Sequence, residues 1–259
     1  MSKPGANNED LFIFFHIPKT GGTSLRYLFA EHMTLNKDFI HLGPAGYKQQ
    51  HADGLKPFAQ RPNEVKQQAK IILGHDVDKD TYKLVPRKTP KNIVFLRNPA
   101  ARIVSLYNYE MYRAYSSKGK TVLDFDEWYS KLERNNMTKL LEKRLLDSGL
   151  KRAWFNTTRF LELHMLRGNN NNILDNVNRA LETFWFVGCT EHLDRDIPIL
   201  LEKIGIQGTP QHHNVSGKGF KKLIMLDEDL EDRLNRDNSI DTELYLYWHS
   251  RLDENLNRL

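Results

Sequence analysis

Cysteine is nearly absent: Cys189 is the only one in 259 residues. That excludes an intrachain disulfide and any zinc site built from cysteines. Long apolar runs are missing too. The longest near the N-terminus is Leu11–Phe15, far short of the roughly 20 residues a membrane-spanning helix needs. With a mean hydropathy of −0.62, the chain does not read as an integral membrane protein. The opening Met1–Asp10 lacks the basic and apolar regions of a secretory signal, so a cytoplasmic protein with disordered residues 1–10 is expected. Excess charge of one sign is small: Lys+Arg 38 against Asp+Glu 33 leaves +5. Nucleic-acid binders concentrate such an excess in basic runs. Here the strongest cluster is only Lys218, Lys221 and Lys222, and Asp227–Asp232 is acidic. Neither nucleic acid nor membrane insertion is expected.

Linkers rich in Pro, Gly or Ser are also lacking, and no repeat is visible, so residues 11–259 read as a single domain. Short apolar runs rich in β-branched and aromatic residues occur at Leu11–Ile17, Ile71–Leu73, Ile93–Leu96 and Phe184–Val187, which predicts buried parallel strands. Helical spacing predicts helices over Ser24–Met33, Ala101–Tyr115, Asp124–Arg134, Thr138–Leu146, Thr158–Leu166, Leu226–Arg236 and Ile240–Leu256. Strand–helix alternation of this kind argues for an α/β layer fold with a mainly parallel sheet. The helices between Asp124 and Leu181 read as a helical insertion, with the Asn169–Asn172 run as a loop after a helix end at Gly168. Leu42–Pro62 reads as a mobile, substrate-facing loop.

The richest stretch is FFHIPKTGGTSL, Phe14–Leu25. A buried strand runs through two glycines into a helix opened by Thr23 and Ser24. Free backbone N–H groups and the positive end of a helix dipole then converge on one spot, an anion site. Gly21 and Gly22 permit positive φ and close approach. Lys19 adds an ammonium at the mouth, and Thr20, Thr23 and Ser24 add hydroxyls. A nucleoside-triphosphate P-loop has its lysine after the glycines. Here Lys19 precedes them and no GxxxxGK[ST] occurs, which disfavours an ATP-dependent kinase. The segment Ile93–Tyr107, containing LRNPAARIVSLY, repeats the strand–turn–helix logic. Arg97 stands at a strand's carboxyl end, where open α/β sheets bind ligands. Pro99 is placed to start a helix, and Ser105 lies within it.

Together HIPKTGGTSL and LRNPAARIVSLY resemble the sulfotransferase superfamily, in the branch of the heparan sulfate 2-O- and 6-O-sulfotransferases and many bacterial relatives. Phe186–Glu191 is similar to a strand–turn signature there, usually with an aliphatic residue in place of Cys189. Asn214-Val215-Ser216 and Asp241–Tyr245 resemble the family's C-terminal end. The resemblance implies a P-loop-like α/β fold and transfer of a sulfuryl group from 3′-phosphoadenosine 5′-phosphosulfate, leaving 3′,5′-adenosine bisphosphate. It implies that Lys19, Thr20, Gly21, Gly22, Thr23 and Ser24 hold the 5′-phosphosulfate and that Arg97 and Ser105 hold the 3′-phosphate. A loop over Ser216–Lys222 closes on the nucleotide in this reading, with Lys218 or Lys221 near its phosphates. The acceptor is a hydroxyl on a glycan or a small metabolite. Alternatives are an ATP-dependent phosphotransferase and a non-catalytic nucleotide- or glycan-binding module.

An alcohol acceptor calls for a general base. His75 is the choice, because it ends the strand Ile71–His75 on the carboxyl edge shared with Lys19 and Arg97, with Gly74 leaving room for an acceptor. The heparan sulfate enzymes use a histidine from a comparable Gly-His segment. Asp76 and Asp78 are the alternatives for the base or its orienter. His16 reads as packing within the first strand, and His41 and His51 as loop residues able to touch substrate. His212-His213 lacks further ligands at metal spacing, so no metal is expected. Cys189 reads as a small buried hydrophobe, and Tyr107, Tyr109, Tyr112 and Tyr115 as partly core, with Tyr112 or Tyr115 able to line an acceptor site.

Overall fold

The computed structural model describes residues 9–43, 55–116, 121–146, 170–206 and 223–259. Its frame is a parallel five-stranded sheet in the order β2-β3-β1-β4-β5. The strands are β1 (Asp10–Phe15), β2 (Phe39–Leu42), β3 (Ile71–Gly74), β4 (Thr89–Leu96) and β5 (Phe186–Cys189). Strand alternation assigns residues to faces. Leu11, Ile13 and Phe15 of β1 join Ile72, Val94 and Val187 on one side, with Met137, Val177, Leu244 and Trp248 from helices packed there. Phe12 and Phe14 join Leu73, Ile93 and Phe186 on the other, against Leu25, Leu28 and Phe29 of α1 (Gly22–His32) and Ile197, Leu200 and Leu201 of the helix Leu193–Ile204. Every β1 residue after Asp10 is buried on whichever face it meets, which is why the strand reads as a continuous apolar run.

The remaining α-helices among the described residues are α2 (Leu55–Ala59), α3 (Asn63–Lys66), α4 (Pro99–Ser116), α5 (Phe125–Ser130), α6 (Asn136–Leu145) and four more over Asn170–Leu181, Glu228–Asp237, Ser239–His249 and Leu252–Asn257. A third core joins Ile103, Tyr107 and Met111 of α4 to Phe125, Trp128 and Tyr129 of α5 and to Leu234. No helix among the described residues is long and apolar enough to cross a membrane.

Several expectations need correction. Phe39–Leu42 forms an edge strand that carries His41, only 2% exposed, so His41 is core and not a loop residue facing substrate. Its four residues are too few to show a period. The fourth strand is Phe186–Cys189, two residues later than expected, because Phe184 still belongs to the turn that closes the preceding helix. That helix, Asn170–Leu181, opens inside the asparagine run, where a loop is expected; Val177 and Leu181 anchor it in the core. Asp10 begins β1 by pairing with Thr89. The C-terminal helix expected over Ile240–Leu256 is two helices that break at Ser250 and Arg251. Part of Leu42–Pro62 is the helical turn α2, with Phe58 fully buried. The expected helix Thr158–Leu166 lies outside the described residues.

Two helices exchange caps. Asp241, 1% exposed, accepts from the Met137 N–H (3.0 Å), the Thr138 N–H (2.8 Å) and the Thr138 hydroxyl (2.7 Å) at the start of α6. Asn135, just before α6, in turn accepts from the Ile240 and Asp241 N–H groups through its Oδ1 at 3.0 and 3.2 Å. Asp241→Ala orphans buried donors, which costs about 1–3 kcal/mol per lost partner. A loss of about 3 kcal/mol in urea unfolding is expected, with Asp241→Asn less damaging; a loss below about 1 kcal/mol would contradict the exchange of caps.

Candidate active site

Residues 16–24, Arg97 and His75 follow β1, β4 and β3, three neighbouring parallel strands. From β1 the chain first builds the β3 and β2 side and then crosses to β4 and β5. The loops after β1 and β4 therefore diverge, and the crevice between them at the carboxyl edge is where such sheets take ligands.

The turn after β1 is held from behind through its carbonyls. Arg144 Nη1 of α6 donates to the His16 carbonyl (3.0 Å), Arg102 Nη1 of α4 to Pro18 (3.4 Å), and Arg97 Nη1 to Lys19 (2.9 Å). The Ile17 carbonyl takes the Thr20 hydroxyl at 2.9 Å and the Thr20 N–H at 3.4 Å. Thr20 is thus turned inward, 2% exposed, and fastens the loop; its hydroxyl is not offered to a ligand as expected. Lys19 sits in the left-handed region at φ 70°, a conformation that costs a side-chain-bearing residue about 1–2 kcal/mol.

Gly21 has φ 82° and precedes α1 without any side-chain cap, and the helix's first turn holds no acidic residue. The leading N–H groups and the positive helix end are therefore open. Thr23 and Ser24 lie half-buried in that turn, and their hydroxyls have no hydrogen-bond partner among the described residues. The need for glycine differs between the two positions. Gly21 requires the backbone freedom. A Cβ on Gly22 would stand 2.0 Å from the His16 ring, so Gly22 is there to admit that ring. Gly74 likewise opens no space for an acceptor: its missing Cβ would meet the Leu42 carbonyl oxygen of β2 at 1.8 Å.

Two cations face the crevice. The Lys19 ammonium lies 4.4 Å from the centroid of the Tyr109 ring, a cation–π contact. Arg97 is half-buried after β4. Neither forms an ion pair among the described residues. Burial, then the charge of Arg97, pushes the Lys19 pKa down; burial pushes that of Arg97 down, opposed by Glu191. Both shifts come first from burial of the charged form. Ser105, half-buried on α4, has no hydrogen-bond partner among the described residues. Asn98 caps α4 by accepting from the Ala101 N–H (3.0 Å), and its own N–H donates to Glu191 (3.0 Å). The open helix end is therefore that of α1; Arg97 lies in the turn after β4 and Ser105 on α4.

His75 stacks on His16 with ring centroids 4.1 Å apart, and its Nδ1 lies 3.2 Å from the His16 carbonyl oxygen. A carbonyl only accepts, so this contact places the proton on Nδ1 and leaves the lone pair on Nε2, which has no hydrogen bond among the described residues. Burial, then Arg144, holds the His75 pKa below the ordinary histidine value, and burial, then His75, does so more strongly for His16. His16 follows β1 and does not pack within it. Asp76 stands half-buried next to His75. Asp78 closes its own turn, accepting from the Asp80 N–H and the Thr81 hydroxyl.

Cys189 is fully buried and its thiol pKa is driven up by burial. Tyr107 is core, donating to the Leu123 carbonyl at 2.8 Å, whereas Tyr115 is 76% exposed. His51, His212, His213, Lys218 and Lys221 lie outside the described residues. Arg102, 1% exposed, and Arg144 are the residues that sequence reasoning missed. Arg102 resembled a surface cation, and Arg144 lies 128 residues from the carbonyl it holds, so no local pattern points to either.

No curated protein sequence matches the chain. Among solved structures, mouse sulfotransferase SULT7A1 complexed with PAP is similar at 15% identity, over 95% of this chain and 90% of that one, with a TM-score of 0.33. The profile of the sulfotransferase family matches residues 6–247. That match spans both anion-site segments, the intervening His75 and the strand–turn after β5, and by it the chain belongs to the sulfotransferase family.

Proposed function

We propose that this enzyme moves the sulfuryl group of 3′-phosphoadenosine 5′-phosphosulfate to a hydroxyl of a glycan or a small metabolite, with His75 as the base. The observation that carries the donor assignment is the pairing of an uncapped α1 N-terminus with two cations, Lys19 and Arg97, that form no ion pair among the described residues, at the edge where β1 and β4 diverge. A phosphosulfate fits that chemistry: the amides of Gly22, Thr23 and Ser24, their two hydroxyls and the Lys19 ammonium are donors in search of anionic oxygens. Arg97 and Ser105, on the β4 side, suit the separate 3′-phosphate. The loop Ser216–Lys222 is proposed to close on the nucleotide, with Lys218 or Lys221 near its phosphates.

Sulfuryl transfer is an in-line displacement, and charge stabilisation dominates its catalysis, as in phosphoryl transfer. The acceptor oxygen forms a bond to sulfur while the bond from sulfur to the 5′-phosphate oxygen breaks. The electron pair leaves on that phosphate oxygen, which Lys19 neutralises. The acceptor's proton passes to His75 Nε2. The products are a sulfate ester and 3′,5′-adenosine bisphosphate. A base held neutral below the usual histidine pKa accepts a proton at pH 7 without prior ionisation.

Lys19→Met should keep the fold by circular dichroism and lower transfer of radiolabelled sulfate by about 10²–10³-fold; retained turnover would remove the leaving-group role. His75→Ala should bind 3′,5′-adenosine bisphosphate as the parent does in calorimetry, while turnover falls by about 10²–10⁴-fold. If turnover survives that change, the base lies elsewhere.

A further inference from the structure

We infer that Arg144 is a positioning residue for His75, acting through the His16 carbonyl oxygen that both side chains touch. This deepens the reading of His75 as the base and rests on it.

The His16 oxygen has two lone pairs. One receives Arg144 Nη1 at 3.0 Å and the other faces His75 Nδ1 at 3.2 Å. Both nitrogens touch one atom, so they lie within about 6 Å of each other, close enough for one charge to bear strongly on the other in a part-buried setting. Two consequences follow. The shared carbonyl selects the Nδ1–H tautomer and leaves Nε2 as the lone-pair nitrogen. The guanidinium behind it opposes a second positive charge on the ring, so the imidazole stays neutral and ready to accept a proton.

Arg144 is well placed for this because it is itself fixed. It is 7% exposed near the C-terminal end of α6, and its own carbonyl accepts from the Lys79 N–H at 3.0 Å, four residues beyond His75. Among the described residues the charged and titratable groups around the His75 ring are His16, stacked on it after β1, Arg26 of α1, Arg144 of α6 and its chain neighbour Asp76; His41 of β2 acts on His16. Among these, Arg144 is the cation that shares the ring's own hydrogen-bond acceptor. Burial lowers the His75 pKa first and Arg144 comes next, which agrees with this geometry.

Nitrogen-15 NMR of the histidine rings in donor-free protein tests the inference without depending on turnover, with the His75 signals assigned by their loss in His75→Gln. The parent protein should show His75 as the Nδ1–H tautomer at pH 7.5. Arg144→Gln, which keeps a donor but loses the charge, should move the His75 titration midpoint upward by about one pH unit, while Arg144→Lys leaves it near the parent value. The acidic limb of kcat/KM should follow the same order. An Nε2–H tautomer in the parent overturns the inference even if Arg144→Gln fails to fold. So does an unmoved midpoint in Arg144→Gln, or an equal rise in both variants. If the NMR results are as expected and no acceptor is sulfated, the proposed reaction fails and the positioning role stands.

Discussion

The site depends on where four backbone carbonyls point. Those of His16, Pro18 and Lys19 are each held by a guanidinium from another part of the fold, and that of Ile17 by Thr20 from within the loop. These bonds fix the path of the turn that leads into α1 and sustain Lys19 in a left-handed conformation that an isolated turn would abandon. Arginine suits this task better than lysine because its planar fork keeps its charge even when buried. Arg102 is buried with Asp241 as the compensating charge, so the residue that caps α6 also helps keep a cation beneath the anion loop.

The sheet makes such bracing possible. β1 lies at its centre, between β3 and β4, so the turn after it can be reached from both sides. α4, which follows β4, supplies Arg102, and the residue just before it supplies Arg97. α6, packed on the opposite flank near the 76–80 turn, supplies Arg144. The helices that sequence reasoning treated as an insertion covering the sheet thus also place a side chain against the loop. Fold and site are coupled here, since the same α6 start is held by Asp241.

What was legible in the sequence was whatever a short window carries. β1 and the opening of α1 declare themselves in an uninterrupted apolar strand followed by glycines and hydroxyls, and Arg97 and His75 by their places at strand ends. What was not legible depends on contacts between distant segments. Arg144 and Arg102 look like any helical cation until the fold brings them beneath the turn. Thr20 looks like a ligand hydroxyl until its partner proves to be Ile17 three residues back. Gly22 and Gly74 look like space for a ligand, yet each is small because another part of the protein fills the place, the His16 ring in one case and the Leu42 carbonyl in the other. β2 escaped notice because four residues with a buried histidine among them show no period.

The contact between Gly22 and His16 joins the two halves of the site. The His16 ring rests on the first residue of α1, where a side chain would exclude it, and its other side stacks on His75. His16 is held neutral by burial and by the nearby cations. It can therefore lie flat against a second imidazole without the repulsion that two charged rings would suffer. The turn after β1 and His75 are in consequence packed together through the His16 ring. Any motion of α1's first turn is transmitted through one ring to His75, and any rotation of His75 away from the His16 carbonyl disturbs the same stack. In the proposed reaction the tautomer and charge of His75 are set by the same turn that is proposed to hold the donor, which is the preorganisation that in-line transfer demands.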